Sequence, residues 1–509
     1  MKKMILCASA LLVGAALSAQ SNVSTVDQNG NGNGSTVAQS GSMNNSDVDQ
    51  DGDDNGSDVA QAGVENRAIT DQDGTDQSSV IAQTGERNSY VTTQQGTNNV
   101  STASQSGNDN WAGPPRNTWG TLQQGSDNLS TTTVTGNNNG TATYQRGDDN
   151  TASITQVGDD NIATLQTFLN WGILQLGNDN TAGIRQNGNA NTGSIEQQGN
   201  NNLGDLLQEG DTNFSDTDQL GDENTSYTYQ LGNTNSSSVL QNGDSNFSDV
   251  DQRGNDNLST VVQTGIDNEQ YTHQGVTGDR NTSATIQTGN NNYAHTDQYG
   301  RLIGGGSNDS QSTITQVGDL NDAFTLQQGN SNGSNVWQYG TNNDSDVIQT
   351  GNGNFSYNYQ GAPFDAITAS SDNNVSSVTQ TGNNNWNGTD QYTPAGDGSD
   401  FNNSAVAQTG DRNYSFTAQF DDNHTSTVDQ TGDDNRSEVR QNGDSNTSDV
   451  DQSGDNNVSL VGQSGDGHNS TVLQDGMLNM STVTQTGMTH MSMVTQMGNS
   501  NTSTVTQSN

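Results

Sequence analysis

Residues 33–41 read Asn-Gly-Ser-Thr-Val-Ala-Gln-Ser-Gly, and the fold follows from how this stretch recurs. Asn33, Ser35, Val37 and Gln39 stand two apart, so on an extended chain they share one face, while Gly34, Thr36 and Ala38 share the other. Gly41 opens a turn of about four residues. Gln recurs at 28, 39, 50, 61, 72, 83, 94 and 105, a step of eleven, and the same step runs from Gln175 to Gln274 and from Gln408 to Gln507. The unit is NxSxVxQxGxx. The position two before Gln nearly always holds Val, Ile or Thr, as at Val26, Val48, Ile81, Ile154, Val250 and Val505; β-branching there favours strand over helix.

A second period lies above the first. Asp27, Asp49 and Asp71 precede Gln in every second unit, and Ala38, Ala60 and Ala82 in the alternate ones. A coil is therefore 22 residues long, made of two strands that stack into two parallel sheets. The sequence predicts an all-β chain, a parallel two-sheet β-solenoid of cross-β, amyloid-like design with about 21 coils, roughly 100 Å long at strand spacing. The repeat covers residues 20–509. Expanded turns are expected near 108–116, 301–309, 362–373 and 392–401, with a two-residue insertion after Gln274 and a tighter corner from Phe168 to Trp171. Pro114, Pro115, Pro363 and Pro394 all fall in the expanded turns, as expected of residues that cannot donate to a sheet ladder.

Composition explains why such a chain needs an unusual core. Leu, Ile, Val and Phe make up about 15% of it, below what a conventional packed interior requires. Identical amides stacked at strand spacing can instead donate to one neighbouring coil and accept from the other. The ladder residues so identified are Gln28, Gln39, Gln50, Gln61, Gln72 and Gln83 near the start of the repeat, Gln430, Gln441, Gln452, Gln463, Gln485 and Gln507 near its end, and Asn33, Asn55, Asn66 and Asn88 in the Asn slot. The turn glycines are Gly30, Gly41, Gly52, Gly63, Gly74 and Gly85. Repeats that begin at Asn22 and run through Gln507 leave open coil edges, which predicts head-to-tail addition of further copies into a fibre.

The first 19 residues read as a secretory signal: Lys2 and Lys3, an apolar run from Met4 to Leu17, then small residues at Ser18 and Ala19. That run is too short to anchor the chain in a membrane. Its removal would take Cys7, the single cysteine, and leave neither disulfides nor thiolate metal sites. The formal net charge is -45, with 13 Lys and Arg against 58 Asp and Glu, the wrong sign for binding nucleic acid.

Nothing in the pattern sets a base beside a nucleophile, so no enzyme, no cofactor and no catalytic residue is expected. The turns Gly52-Asp53-Asp54-Asn55, Gly147-Asp148-Asp149-Asn150 and Gly432-Asp433-Asp434-Asn435 bring carboxylates together as a calcium site would, with loose counterion screening the plainer reading. His468 and His490 stand in the Asn slot one coil apart, near Met477, Met480, Met488, Met491 and Met493. They read either as a pH or metal switch or as imidazoles replacing an amide. Trp111, Trp119 and Phe364 are expected in expanded turns, facing a partner or packed back on the solenoid.

Asn22 to Gln39 resembles the repeat of the curlin family, SxxxxxQxGxxNxAxxxQ. Gln28, Gly30, Asn33 and Gln39 match, with Asn22 where the family often has Ser and Ser35 where it often has Ala. The resemblance implies a secreted structural subunit that self-assembles into curli-like amyloid fibres for biofilm matrix and surface adhesion. It also implies a nucleator subunit and an outer-membrane export channel as partners. The chain departs from the family in its number of coils and in passing straight from signal to repeat. A monomeric acidic β-solenoid adhesin, with or without calcium in its turns, is the alternative.

Overall fold

The computed structural model describes residues 21–112, 120–163, 172–275, 278–299, 307–361, 372–392 and 401–509. Residues 1–20, including Cys7, and the four prolines, Trp119 and Phe364 lie outside them. The described residues contain 44 strands and no helix. All pairings are parallel and join residues one coil apart: Val23–Asn29 pairs with Asn45–Asp53, which pairs with Arg67–Thr75, placing Gln28, Gln50 and Gln72 in one column. The intervening strands Gly34–Ser42, Gly56–Val64 and Ser78–Glu86 form the second sheet, with Gln39, Gln61 and Gln83 in its column. The architecture is thus a two-sheet parallel β-solenoid of about 20 turns with a spacing near 22 residues. Asp27, Asp49 and Asp71 stack outward in the first sheet, and Ala38, Ala60 and Ala82 in the second.

The interior has a narrow apolar seam flanked by amides. Val428, Val439, Val450, Val461 and Val472, drawn alternately from the two sheets, pack into one buried column. The seam is matched in size: where it holds Ile195 and Leu206, the facing Ser slots are Gly204 and Gly193, and a Cβ on Gly193 would come within 2.5 Å of Leu206 Cδ2. The hydroxyls of Ser426, Ser437, Ser448 and Ser459 are buried with no hydrogen-bond partner; the slot selects small volume rather than polarity.

The regular turns use two left-handed residues. The Gly after Gln has φ near 120°, as at Gly52 (115°) and Gly199 (127°), and the residue before the Asn slot has φ near 57°, as at Asp54 and Asp149. Asp and Asn tolerate the second conformation, yet Leu320 and Phe401 adopt it too, at 59° each.

One expectation about the irregular regions needs correcting. Gly107 to Asn110 make an ordinary turn, with Asp109 at φ 56°. Trp111 then lies in the strand Trp111–Ala112, paired with Ser89 and Gly140, and not in an expanded turn. Residues 113–119 lie outside the described ones, and beyond them Thr121–Ser126 pairs with the same strand, Ser89–Thr97, that Trp111 meets. The corner expected from Phe168 to Trp171 lies outside the described residues; the strand Ile162–Ala163 precedes it, and Ile173–Leu176, in register with Thr143–Arg146, follows. The extra residues lengthen the coil step from Gln145 to Gln175 to 30. Residues 276–277, 300–306, 362–371 and 393–400, where the later insertions are expected, lie outside the described residues.

Candidate functional site

The glutamine columns form a directional ladder. Gln28 Nε2 donates to Gln50 Oε1 at 2.6 Å, Gln39 to Gln61 at 2.8 Å, Gln50 to Gln72 at 2.8 Å and Gln61 to Gln83 at 2.9 Å. At the other end Gln430 donates to Gln452, Gln441 to Gln463, Gln463 to Gln485 and Gln485 to Gln507, at 2.8 to 3.0 Å. The amide always donates toward the C-terminal coil. Its second N–H reaches the backbone of the opposite sheet, as from Gln61 to Asn45 O at 3.0 Å and from Gln83 to Arg67 O at 2.9 Å. One side chain thus ties a coil to its neighbour and one sheet to the other.

The Asn slot runs in the opposite sense. Asn66 Oδ1 accepts the backbone N–H of Asn88 at 3.0 Å and its Nδ2 at 3.1 Å, while Asn88 Nδ2 also donates to Gly107 O of the next turn at 2.8 Å. Asn33 Oδ1 accepts from Asn55 N at 2.9 Å, and Asn55 Nδ2 reaches Gly74 O at 3.0 Å. The turn glycines are stacked so closely that a Cβ on Gly30, Gly41, Gly52, Gly63, Gly74 or Gly85 would stand 1.9 to 2.0 Å from the next glycine's carbonyl oxygen.

Among the described residues the ladder has one gap, where the step of eleven from Gln123 to Gln145 would place a further Gln. Val134 stands in register between Gln105 and Gln156, and Gln156 Oε1 is buried without a partner. Val134→Gln should supply the missing donor and stabilise the neighbouring coils by about 1–3 kcal/mol. Slower hydrogen exchange in the strands Leu129–Thr135 and Thr151–Val157 would register the gain; faster exchange would contradict it.

Three histidines occupy the Asn slot, the third being His424, which the same count of six before Gln430 could have found. His424 and His468 are buried, and each ring accepts a backbone N–H at Nδ1: from Asn446 at 3.2 Å and from His490 at 3.2 Å. Nε2 then donates to Phe420 O in His424 and to Ser464 O in His468, so imidazole takes over both roles of the amide. His468 and His490 stack with ring centroids 5.2 Å apart. The turn carboxylates are also engaged: Asp53, Asp148 and Asp433 accept backbone N–H groups of the preceding coil from Asn31, Ser126 and Asp411 at 2.8 to 2.9 Å.

Outward acids carry the charge. Burial, then Asp27, Asp47 and Asp51, raises the Asp49 carboxyl above its ordinary range. Asp218 is pushed up to about 7 by burial, then by Asp216 and Glu196, while burial chiefly lifts Asp322 and Asp390 to about 6. A raised folded-state pKa means that the folded chain keeps protons the unfolded chain has lost, so stability falls as pH rises through that window. His424 acts in the opposite direction, since burial lowers it from 6.5, but only below the ordinary histidine range. Stability should therefore rise as pH is lowered from 8 to 6.5. Asp218→Asn should remove part of that slope and stabilise the chain at pH 8 by about 1 kcal/mol after solvent screening. Denaturant curves at the two pH values check this; identical slopes for both proteins would refute it.

The Curlin associated repeat matches this chain at residues 21–52, 136–166, 177–203 and 460–487. The matched segments are spread along the solenoid from its first coil to residues 460–487, so the chain carries curlin-associated repeats. None of the curated proteins compared with it matches.

Proposed function

We propose that this protein is a secreted structural subunit that polymerises coil upon coil into curli-like amyloid fibres, giving a biofilm matrix cohesion and adhesion to surfaces. The observation that carries the reading is the polarity of the amide ladder. Away from the gap at Val134, each Gln inside the columns donates to one axial neighbour and accepts from the other, so a coil edge presents Gln Oε1 acceptors on one side and Gln Nε2 donors on the other. Among the described residues, Gln28 and Gln39 donate only inward. Gln496 and Gln507 spend one N–H on Met480 O and Met491 O and keep the other for a further coil. The two faces are complementary, the condition for an open, non-closing contact between identical chains. Parallel strands at that contact would continue both sheets without a break.

Curlin repeats belong to a structural family, and in this reading the chain is non-catalytic. No helix of the described residues is long and apolar enough to cross a membrane. Its partners are further copies of itself, a nucleating subunit and an outer-membrane export channel. The test is release of the chain, without residues 1–19, from denaturant, followed by thioflavin fluorescence with and without preformed seeds. Seeded growth without a lag is expected. A monomer that stays soluble and unseeded over days would overturn the proposal in favour of a single-chain adhesin.

A further inference from the structure

The outward face of the second sheet carries a group of side chains that the repeat does not call for. Among the described residues, His273, His295 and Asp297 form the one set of three whose potential ligand atoms all lie within 4.8 Å of one another. His273 stands on the strand Glu269–Gln274, and His295 and Asp297 on the adjacent Tyr293–Gln298, with His273 opposite Asp297 and Tyr271 opposite His295. Residues two apart share a face, so the three project outward side by side. Asp297 Oδ1 lies at the centre, 2.8 Å from His273 Nδ1 and 3.0 Å from His295 Nε2.

From this geometry we infer that His273, His295 and Asp297 form a binding site for a divalent transition metal of the zinc or copper kind. Two imidazoles and a carboxylate are a donor set suited to those ions, and three protein ligands leave a position for water. Bonds of about 2.0–2.1 Å at a tetrahedral angle place ligand atoms about 3.3 Å apart. The two contacts to Asp297 need open by only about 0.3–0.5 Å to admit the ion. The surroundings hold the ligands in place. His295 turns its other nitrogen, Nδ1, toward Tyr293 Oη at 3.3 Å, the kind of outer contact that fixes a ligand ring. The His295 ring also packs edge-on against Phe324, with centroids 5.3 Å apart. The Asp297 side chain is 12% exposed and that of His295 21%, while His273, at 40%, keeps the solvent side open.

The charges around the group favour a cation. Asp249 and Asp251 lie on the preceding strand, with Asp251 paired to Arg253 at 2.8 Å, and Asp322 lies on the following strand. The competing description is a metal-free network in which the two imidazoles share one carboxylate. In agreement with that bonding, the His273 ring is raised by its hydrogen bond to Asp297. Metal binding would displace the protons that make those bonds.

Titration of the chelator-treated full chain with Zn2+ by calorimetry, and with Co2+ by visible absorption, distinguishes the two. One saturable equivalent is expected, with proton release and a four-coordinate Co2+ spectrum. His273→Ala, His295→Gln and Asp297→Asn should each weaken it by at least about tenfold, with unchanged far-UV circular dichroism. Because all three side chains point away from the amide ladder, these variants keep the fold on which the reading rests. The double variant His468→Asn, His490→Asn should bind as the parent does. Binding that survives His273→Ala and Asp297→Asn, binding lost in the His468/His490 variant instead, or diffuse uptake equal in all the proteins would each overturn the assignment.

Discussion

Gly199→Ala should cost about 2–5 kcal/mol, one of the largest effects available to a single methyl group in this chain. Gly199 holds φ at 127°, and the added Cβ would stand 2.0 Å from Gly221 O and 2.6 Å from Gly221 C. The obstacle is backbone rather than the tip of a side chain, so relief requires the two coils to move apart. That movement would stretch the bond from Asn202 Nδ2 to Gly221 O, now 2.8 Å, and the turn bond from Gly221 N to Gln198 O at 2.8 Å. Left-handed strain of about 1–2 kcal/mol and overpacking of about 1–3 kcal/mol act together. Gly34 is the internal control: it has no positive φ and open space around its Cβ position, and Gly34→Ala should stay within about 0.5 kcal/mol. Hydrogen exchange across the coils from Thr181 to Leu220 would measure the difference. Equal protection in the two variants would show that the glycine column is not what sets the coil spacing.

Gln241→Ala is expected to cost a similar amount, about 3–5 kcal/mol, by a different route. Gln241 is fully buried; its Nε2 bonds Gln263 Oε1 at 2.9 Å, Thr225 O at 2.9 Å and Asn246 O at 3.0 Å, and its Oε1 accepts from Gln219 Nε2 at 2.9 Å. Truncation leaves a cavity and strands an acceptor on Gln263 and a donor on Gln219. Gln241→Met restores the volume without the bonds and should recover part of the loss. If the Met variant matched the parent in denaturant midpoint, the ladder would contribute packing alone. Val134 shows that one missing rung is compatible with the fold, at the expense of an orphaned Gln156 Oε1.

The period of eleven made the strands, the two-sheet coil and the inward slots legible, because each slot places the same chemistry at the same height in every turn. The sites of interruption were less so. Extra residues between Gln105 and Gln123 can be counted, but a Gln spacing does not say whether they swell the turn or break the strand; the pairing of Trp111 with Ser89 and Gly140 decides it. His273 and Asp297 escaped notice because they lie 24 apart, not 22, owing to the insertion after Gly275. They also occupy outward positions whose residue type varies from coil to coil. The seam was partly hidden as well: the match of Gly193 and Gly204 to Leu206 and Ile195 joins strands from opposite sheets, and no count along one column exposes it.

The most direct test of coil-on-coil polymerisation is a cryo-electron microscopy reconstruction of the seeded product at side-chain resolution. The expected map shows two parallel sheets with coils about 4.8 Å apart, passing from one chain into the next with the Gln columns aligned across the junction. Solenoids associated side by side, or chains separated at their coil edges, would contradict it.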